Sequence, residues 1–264
     1  MCGRFVMARA VGDLVAQAGA VPPEADFELR ESYNVAPTAD VAVVLERLVE
    51  ETPQRELHRA RWGLLPGWAK DPSFSSRTFN ARSETVVTKP SFRSAVRARR
   101  CAVPVDGYYE WLKPTKGSGS QRKRPFYVHP EDDSVMFFAG LYEWWKDPEA
   151  EAAGEPAWVL STTILTGASP DDAEHDGVLG ELGRLHDRLP LPMGPEMMEA
   201  WLNPEKLDSA DEAEALVQRV REQAFAVAGG WRLDEVGPAV GNVRNNGPEL
   251  LEPVAGGPQE SLLP

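Results

Sequence analysis

The sequence predicts an α+β protein with mainly antiparallel β-structure, a barrel-like sheet and peripheral helices. Strand-like runs joined by short turns follow one another between residues 101 and 165, whereas a parallel sheet would alternate its strands with helices. The longer helical patterns come only after Ala168. We therefore expect a single domain over residues 1–245, followed at residues 246–264 by a disordered tail rich in Gly, Pro and Glu.

The first 100 residues combine one predicted hairpin with short helices. Residues 41–45 read Val-Ala-Val-Val-Leu, a continuous and mostly β-branched run that is typical of a buried strand. The predicted elements of this part are a short helix at Asp13–Ala18, a strand at Val41–Leu48, a polar connection at Glu50–Arg55, a partner strand at Glu56–Trp62, a short helix capped by Asn80 or Ser83, and a basic helix at Ser91–Arg100.

The remainder of the chain changes from strands to helices. A Gly/Ser/Lys-rich segment, Lys113–Arg124, interrupts the strands and is predicted to be a mobile linker. The predicted elements are strands at Cys101–Val105, Gly107–Leu112, Pro125–Val128, Val135–Trp144 and Ala157–Leu165, a helix at Pro170–Leu182, an extended segment at Leu185–Pro192, helices at Pro195–Leu202 and Asp211–Gln223, and a last strand at Phe225–Val236.

Composition argues against several classes of protein. No stretch of about 18 apolar residues is present, and the first residues lack the charged and then apolar pattern of a secretory signal. We therefore expect a cytoplasmic protein. Cys2 and Cys101 stand far apart, without a C-x-x-C motif or paired histidines, so the sequence predicts neither a disulfide framework nor a metal site.

Charge is distributed unevenly along the chain. The formal net charge is −13, yet the segment from Arg77 to Arg124 holds twelve Lys and Arg against three Asp and Glu, a net +9 that leaves −22 for the rest. Such a block is often only a solvated face. Its segregation from an acidic remainder is also expected of a groove for a polyanion, and the sequence leaves both interpretations open.

The second residue offers unusual chemistry. Removal of Met1 would give Cys2 a free α-amine and a free thiol on one Cα, a 1,2-aminothiol. The reference pKa values of these groups, about 8 and about 8.5, allow neutral amine and thiolate to coexist near neutrality. An aldehyde can then form an imine that the thiol closes to a thiazolidine ring. The alternative is that Cys2 is a small buried hydrophobic residue.

Six short motifs follow one another over residues 1 to about 205, and together they resemble the SRAP (SOS response-associated peptidase) family. A single motif would be weak support, whereas six in the family's order are specific. The motifs are Met1-Cys2-Gly3-Arg4-Phe5, Tyr33-Asn34-Val35-Ala36-Pro37, Arg61-Trp62-Gly63-Leu64-Leu65-Pro66-Gly67-Trp68, Phe79-Asn80-Ala81-Arg82-Ser83-Glu84, Gly107-Tyr108-Tyr109-Glu110-Trp111 and His186-Asp187-Arg188-Leu189-Pro190.

The resemblance implies a protein that senses and shields abasic sites in single-stranded DNA. It implies that Cys2, after autoproteolytic loss of Met1, condenses with the ring-opened sugar aldehyde to a thiazolidine crosslink. Asn80 would orient the amine and sugar, Glu110 would shuttle a proton, and His186 would protonate the departing sugar oxygen. The family also suggests cleavage by β-elimination and reversal of the adduct, without a cofactor. Taken alone, these three residues are also compatible with a helix cap, an exposed strand residue and a structural histidine.

The resemblance also implies contacts to DNA. Arg4, Arg77, Arg82 and Arg188 would bind phosphates, and Pro37 and Trp68 would offer apolar surfaces to the bases beside the lesion. A basic groove with stacking surfaces is the usual design of a single-strand binding protein. Trp62 is compatible with either stacking or the core, and we assign Trp111, Trp144 and Trp145 to packing. We expect a monomer that associates with the nucleoid when bound to DNA.

Two other functions are compatible with parts of the sequence. An N-terminal-nucleophile amidohydrolase, such as a glutamine amidotransferase, would use the thiol of Cys2 on an amide and its amine as base. That class needs a layered α/β sandwich and does not account for a basic block beside tryptophans. In a non-covalent single-strand binding module Cys2 would be incidental, and its replacement would change nothing.

Overall fold

The computed structural model describes residues 3–24, 27–114 and 122–254. Within them, the strands are β1 Phe5–Met7, β2 Ser32–Val35, β3 Asp40–Val49, β4 Thr52–Trp62, β5 Asn80–Arg82, β6 Arg100–Val105, β7 Gly107–Leu112, β8 Arg124–Pro130, β9 Met136–Lys146, β10 Trp158–Ala168, β11 Arg188–Pro190 and β12 Trp231–Glu235. The α-helices are α1 Val11–Ala18, α2 Ala95–Ala98, α3 Pro148–Ala153, α4 Gly177–Leu185, α5 Pro195–Leu202 and α6 Ala210–Ala228.

Five strands close into a barrel in the order β10-β4-β3-β6-β9, because β10 pairs with both β4 and β9. Most of these pairings are antiparallel, as the sequence predicts, and the α+β class with a barrel is confirmed. Strand β10 also makes the parallel pairs of the barrel, first with the end of β4 and then with β5, while β11 extends it on the other side. The motifs that contain Trp62, Asn80 and Arg188 therefore meet along β10.

A second antiparallel sheet, in the order β12-β8-β7-β1-β2, contacts the barrel through β1 and β6. Phe5 of β1 lies opposite Tyr108 of β7, and both are buried in the main core. A smaller cluster of buried side chains lies elsewhere in this sheet and includes Val6, Tyr109 and Tyr127. The two sheets thus bring the start of the chain against β7.

The hairpin of β3 and β4 confirms the predicted strands and corrects their connection. Val41–Leu45 is buried throughout, as the β-branched run indicates. The polar connection expected at Glu50–Arg55 is only two residues long, because Val49 already pairs with Thr52. Glu50 and Glu51 both have positive φ, 48° and 66°, which is the geometry of a type I′ turn. No Asn or Gly signals this turn in the sequence.

Two predicted helices in the basic segment are wrong in part. Asn80 does not cap a helix: Asn80–Arg82 is strand β5, which pairs with Ile164–Thr166 of β10. Helix α2 covers only Ala95–Ala98, because Arg100 already begins strand β6. In both places pairing with a barrel strand prevails over local helical propensity, which is a weak signal over such short segments.

Helix boundaries after residue 168 also differ from the prediction. Helix α5 has the predicted bounds, and α4 begins at Gly177 rather than at residue 170. Helix α6 continues to Ala228, so the last strand begins only at Trp231. Its amphipathic pattern buries Val220 and Ala224, and this packing carries the helix past the predicted end.

The expected disordered tail is partly structured. Pro248–Leu251 forms a 3₁₀ helix, and Leu250 is buried with Val6 and Tyr109, so the boundary predicted after residue 245 is placed too early. Residues 255–264 of that tail, and the centre of the predicted linker at 115–121, lie outside the described residues. In the part of the chain that is described, no helix is both long and apolar enough to cross a membrane.

The positive φ angles in the β3–β4 turn predict a stabilising substitution. A left-handed conformation costs a residue with a Cβ roughly 1–2 kcal/mol, and Asn-Gly is the preferred pair in a type I′ turn. We expect Glu50→Asn with Glu51→Gly to raise the free energy of unfolding by about 1 kcal/mol, or the melting temperature by about 2–4 °C.

The control for this substitution is Glu50→Gln with Glu51→Gln, which removes the same two charges and leaves both Cβ atoms in place. Thermal and urea denaturation would compare the two proteins. Equal stability of the Asn-Gly and Gln-Gln variants would contradict the assignment of backbone strain to this turn.

Candidate functional site

Trp62 joins three of the six motifs at the centre of the molecule. Its ring is fully buried, lies 4.6 Å from the ring of Phe5 and contacts the edge of Phe79 at 5.7 Å. Its indole Nε1 donates to the backbone carbonyl of Phe79 at 2.8 Å, so the polar atom of the ring is satisfied. Trp62 is therefore a core residue, and it fixes the start of β1 relative to Asn80, which follows Phe79.

A fourth motif reaches the same tryptophan through a tight turn. Ala39 N–H bonds to Ala36 O at 3.2 Å, with Pro37 second in the turn and Thr38 third at φ 76°, the geometry of a type II turn. Thr38 N–H donates to Trp62 O, and Trp62 N–H donates to Ala39 O, both at 2.8 Å. Pro37 is only partly buried and lies beside this junction.

The beginning of the described chain runs alongside the strand that carries Glu110. Tyr109 N–H donates to Arg4 O at 2.9 Å, and Phe5 lies opposite Tyr108, so the antiparallel register directs the residues before Phe5 toward Glu110. Glu110 is 5% exposed, and its Oε1 accepts a hydrogen bond from Trp111 N–H at 3.2 Å. Cys2, the predicted nucleophile, lies outside the described residues.

His186 follows helix α4 in extended conformation and is largely buried. Its backbone N–H caps the helix through Leu182 O at 3.2 Å, and α4 packs on β7, the strand of Glu110. Burial lowers the pKa of His186 below its ordinary value, although the charges of Glu110 and Asp187 act in the opposite direction. The packing of α4 on β7 and the influence of the Glu110 charge place His186 in the neighbourhood of Glu110.

The Nδ1 atom of His186 has two neighbours that require different protonation states. Arg188 N–H donates to it at 3.0 Å, which requires an unprotonated nitrogen, whereas Asp187 Oδ1 at 2.8 Å would pair with a protonated one. The Asp187 side chain is 83% exposed and well solvated, so the backbone donor decides at neutral pH. The ring is then neutral, with its proton on Nε2.

Asn80 and the His186 segment lie on opposite edges of β10. Asn80 is opposite Ile164 in the parallel pair with β5, and Arg188 is opposite Ala168 in the antiparallel pair with β11. Glu110 comes from the other sheet. Asn80 and the His186 segment are therefore both held to β10, whereas Glu110 and the start of β1 belong to the second sheet.

An exposed aromatic surface, the Trp68 platform, is formed by Trp68, Phe74 and Arg77. Trp68 is 56% exposed and contacts Phe74 edge-on at 5.0 Å, while the Arg77 guanidinium lies 5.2 Å from the Phe74 ring. The 3₁₀ helix Pro72–Arg77 that carries it lies very close to Gly63, since a Cβ there would be 2.2 Å from Ser75 O. Only glycine allows this approach.

The predicted phosphate-binding arginines differ in their surroundings. Arg77 and Arg82 are exposed. Arg4 instead donates to Asn34 Oδ1 at 2.7 Å and to Val240 O at 2.8 Å, and lies 5.8 Å from the ring of Trp111. Arg188 is 11% exposed and forms a bidentate pair with Glu84, at 2.6 and 2.9 Å. The structure thus leaves Arg77 and Arg82 open to solvent and engages Arg4 and Arg188 internally.

Asn34 organises a network that the sequence did not indicate. Its side chain is buried, and its Nδ2 donates to three backbone carbonyls of the C-terminal segment, those of Val240, Asn242 and Asn245. With Arg4 donating to Oδ1, the amide is fully used. The motif position of Asn34 was the only signal in the sequence, since the segment it holds lies more than 200 residues away.

Four arginines in the described part of the basic segment are engaged within the protein. Arg97 and Arg100 donate to backbone carbonyls, Arg99 pairs with Glu143, and Arg124 pairs with Glu235. Arg100 is 4% exposed and receives no carboxylate among the described residues, because carbonyls at the ends of α2 and α5 surround its guanidinium. These four arginines therefore have internal partners, and the interpretation of the segment as a groove for a polyanion stays a prediction.

Two aromatic assignments have different outcomes. Trp145 is 1% exposed, and its indole N–H donates to Ala69 O at 2.8 Å, which confirms its packing role. The packing role of Trp144 is wrong, because this side chain is 43% exposed on the other face of β9. Adjacent residues of a strand point to opposite faces, so both could not be buried equally.

The second cysteine is unsuited to nucleophilic chemistry. Cys101 is fully buried, and burial raises the pKa of its thiol to about 12. Its Sγ lies 3.4 Å from Thr162 Oγ1. A thiol in this state is not ionised near neutrality, so Cys101 cannot supply a reactive thiolate there.

Comparison with known proteins places the chain in a family. The model of the SRAP family, described as SOS response associated peptidase, matches residues 1–243. The chain belongs to the SRAP family.

Relatives of this SRAP protein extend over most of its length. The Abasic site processing protein YoqW of Bacillus subtilis is 32% identical over 252 residues, which are 96% of this chain and 99% of that protein. The Abasic site processing protein HMCES of Gallus gallus is 31% identical, covering 85% of this chain and 67% of that protein. A crystal structure of a Bacteroides thetaiotaomicron protein shares the fold, with TM-score 0.68, 21% identity and coverage of 96% and 99%.

The buried histidine of this SRAP protein predicts an acid-sensitive stability. Because the pKa of His186 is lowered in the folded state, the unfolded chain binds more protons once the pH falls below the ordinary histidine pKa of about 6.5. The stability that depends on the neutral ring is therefore complete above that pH and is lost as the pH falls. We expect His186→Gln to lose less stability than wild type between about pH 7 and pH 5.

Urea denaturation at a series of pH values would measure this difference. His175→Gln, which removes the imidazole just before α4 whose Nδ1 makes an exposed contact with Asp171 O at 3.1 Å, is the matched control. The same pH dependence in wild type and His186→Gln would contradict the assignment of a lowered pKa to His186.

Proposed function

We propose that this SRAP protein processes abasic sites in DNA by covalent capture at Cys2. The observation that carries the proposal is the register of β1 on β7, which places Arg4 alongside Tyr109, one residue before Glu110, on the strand against which α4 packs. The names of its relatives, Abasic site processing proteins, support the same substrate. Cys101 offers no competing nucleophile, because it is buried and its thiol pKa is raised.

The proposed reaction uses both groups of Cys2 after Met1 has been removed. The neutral amine adds to C1′ of the ring-opened sugar, and loss of one water gives an imine. The thiolate then adds to the imine carbon, the nitrogen takes up a proton, and a thiazolidine ring closes. The net change is one water lost and no oxidation or reduction, so the reaction needs no cofactor.

The three residues gathered at the site supply the proton transfers. His186, neutral with its proton on Nε2, donates a hydrogen bond to the ring oxygen as the sugar opens, and the proton that this oxygen gains comes from the C1′ hydroxyl. Glu110 transfers protons at the amine and the carbinolamine oxygen. Asn80 is an uncharged donor and acceptor that orients the amine and sugar hydroxyls. The same imine permits β-elimination, and reversal of the ring closure would release the DNA, so lyase and reversal activities belong to the proposal.

The DNA is proposed to be single-stranded and to run over the Trp68 platform. Trp68 offers an open face for stacking, Pro37 adds apolar surface, and the exposed Arg77 and Arg82 bind the phosphates on either side of Asn80. Arg4 shapes the site from within rather than from its surface. The barrel fold does not favour the amidohydrolase alternative, since that class needs a layered α/β sandwich.

The first test measures the intact mass of the protein with single-stranded DNA that carries one abasic site. We expect wild type without Met1 to gain the mass of the oligonucleotide minus one water, with no reductant present. Cys2→Ala should give no stable adduct. Glu110→Gln and His186→Gln should slow the adduct roughly 10²–10⁴-fold, the usual contribution of general acid–base catalysis.

The matched control is Cys101→Ala, which removes the other thiol and should leave the adduct in place. A stable adduct in Cys2→Ala would contradict the aminothiol chemistry. An unreactive wild type that lacks Met1 would overturn the covalent function and favour a non-covalent binding module.

A second test addresses the Trp68 platform separately from the chemistry. Intact single-stranded DNA has no aldehyde, so its binding is reversible and can be followed by fluorescence anisotropy. Loss of one stacked base costs about 1–3 kcal/mol, and we expect Trp68→Ala to raise the dissociation constant roughly 5- to 150-fold.

Trp158→Ala is the matched control for the platform, since Trp158 is 62% exposed and its ring lies against Lys146 Nζ, at 5.8 Å, rather than forming part of the platform. It should bind DNA as wild type does. Equal losses in both variants, or none in Trp68→Ala, would rule out the platform as the stacking surface.

A further inference from the structure

The ion pair between Glu84 and Arg188 has no part in the proposed reaction, yet it touches the segment of His186. Arg188 donates through Nη1 and Nη2 to the two carboxylate oxygens of Glu84, at 2.6 and 2.9 Å. Nη2 also donates to Thr166 O at 2.7 Å. The Arg188 side chain is 11% exposed, so water screens the pair only weakly on the arginine side.

This pair crosses strand β10. Glu84 follows β5 on one edge of that strand, and Arg188 belongs to β11 on the other edge. Thr166 lies between them, and its carbonyl accepts from both Ser83 N–H, at 2.9 Å, and Arg188. The pair therefore ties the strand of Asn80 to the segment of His186, and both ends are fixed to the barrel.

The backbone of Arg188 is the direct partner of the histidine. Arg188 N–H donates to His186 Nδ1 at 3.0 Å, and Ser169 N–H holds the intervening Asp187 O at 3.2 Å. An N–H donor at Nδ1 leaves only Nε2 to exchange protons with a substrate. If the Arg188 peptide rotated, its N–H would no longer bond to His186 Nδ1. The exposed carboxylate of Asp187, 2.8 Å from Nδ1, would then favour a proton on Nδ1.

We propose that Glu84 is a positioning residue for His186, acting through the bidentate grip on Arg188 that holds its N–H against Nδ1. This inference rests on the proposed function for its effect on the reaction. It assigns Arg188 to the interior of the site, in place of the phosphate contact expected from the sequence. A bidentate fork is needed, since a single point charge would fix the distance to Arg188 but not the orientation of its peptide.

Two substitutions test the grip. Glu84→Gln keeps the shape and removes the charge, and Arg188→Lys keeps the charge and removes the fork. We expect both to lower the maximal crosslinking rate roughly 10- to 100-fold, less than loss of His186 itself, because a displaced catalytic group loses part of its contribution. The DNA concentration that gives half the maximal rate should stay within about twofold of wild type, as expected when transition-state interactions alone are lost.

A spectroscopic readout separates positioning from stability. The chain has four histidines, so the ring ¹⁵N resonances of His186 can be assigned by comparison with His186→Gln. In wild type at neutral pH we expect an unprotonated Nδ1 that accepts a hydrogen bond and a protonated Nε2. In both variants the Nδ1 resonance should lose the shift of a hydrogen-bonded acceptor.

The matched control is Glu235→Gln, which breaks another bidentate pair, with Arg124 at 2.7 and 2.5 Å, without touching the His186 segment. It should leave both the rate and the His186 resonances unchanged. Melting temperatures of all variants would show that each is folded at the temperature of the assay.

Several results would overturn the proposal. If Arg188 instead contacts a DNA phosphate, Arg188→Ala should bind DNA more weakly and Arg188→Lys should crosslink at a near-normal rate. Glu84→Gln should then bind DNA more tightly. If Glu84→Gln crosslinks at the wild-type rate, or if the His186 resonances are unchanged in the two variants, the ion pair is only a local structural contact. If wild type itself forms no adduct, the proposed function fails, and the resonances alone decide the positioning role.

Discussion

The burial of Trp62 is the interaction on which the site depends. Its ring contacts Phe5 and Phe79, and its backbone holds the turn that contains Pro37, so four sequence motifs are placed by one residue. Removing a buried tryptophan costs about 3–5 kcal/mol, against a typical total stability of about 5–15 kcal/mol. Trp62 therefore contributes a large part of the stability of the fold, and the same contacts fix the start of β1 beside the strand of Asn80.

Two buried polar side chains, Asn34 and Arg100, also hold distant segments together, mainly through hydrogen bonds to backbone carbonyls. The Asn34 amide joins β2 to three carbonyls near the C-terminus, and the Arg100 guanidinium collects the carbonyls that end α2 and α5. Cations at helix C-termini are favoured by the helix dipole, which explains how Arg100 remains charged without a carboxylate partner among the described residues. Such contacts fix distant segments in one arrangement, as a purely apolar core would not.

The sequence predicted the barrel because the strands carry their own signals. The run at Val41–Leu45 is buried on both faces, and the successive runs after Cys101 became β6 to β10. The sequence-based prediction failed where a distant segment determines the local structure. Asn80 is in a strand because it pairs with β10. Glu50 and Glu51 adopt positive φ because the paired strands leave only two residues for the turn. The motifs predicted the residues of the site, but neither the inward orientation of Arg4 and Arg188 nor the role of Glu84 can be derived from spacing.

The division of labour between Glu110 and His186 follows from their environments. Burial favours the neutral form of His186 and lowers its pKa, and a backbone donor already occupies its Nδ1, so one nitrogen remains for proton exchange. Glu110 is also buried, on the other sheet, and couples electrostatically to the ring. The proposed condensation releases one water and moves protons among nitrogen, oxygen and sulfur, and it would draw on two buried polar groups of this kind.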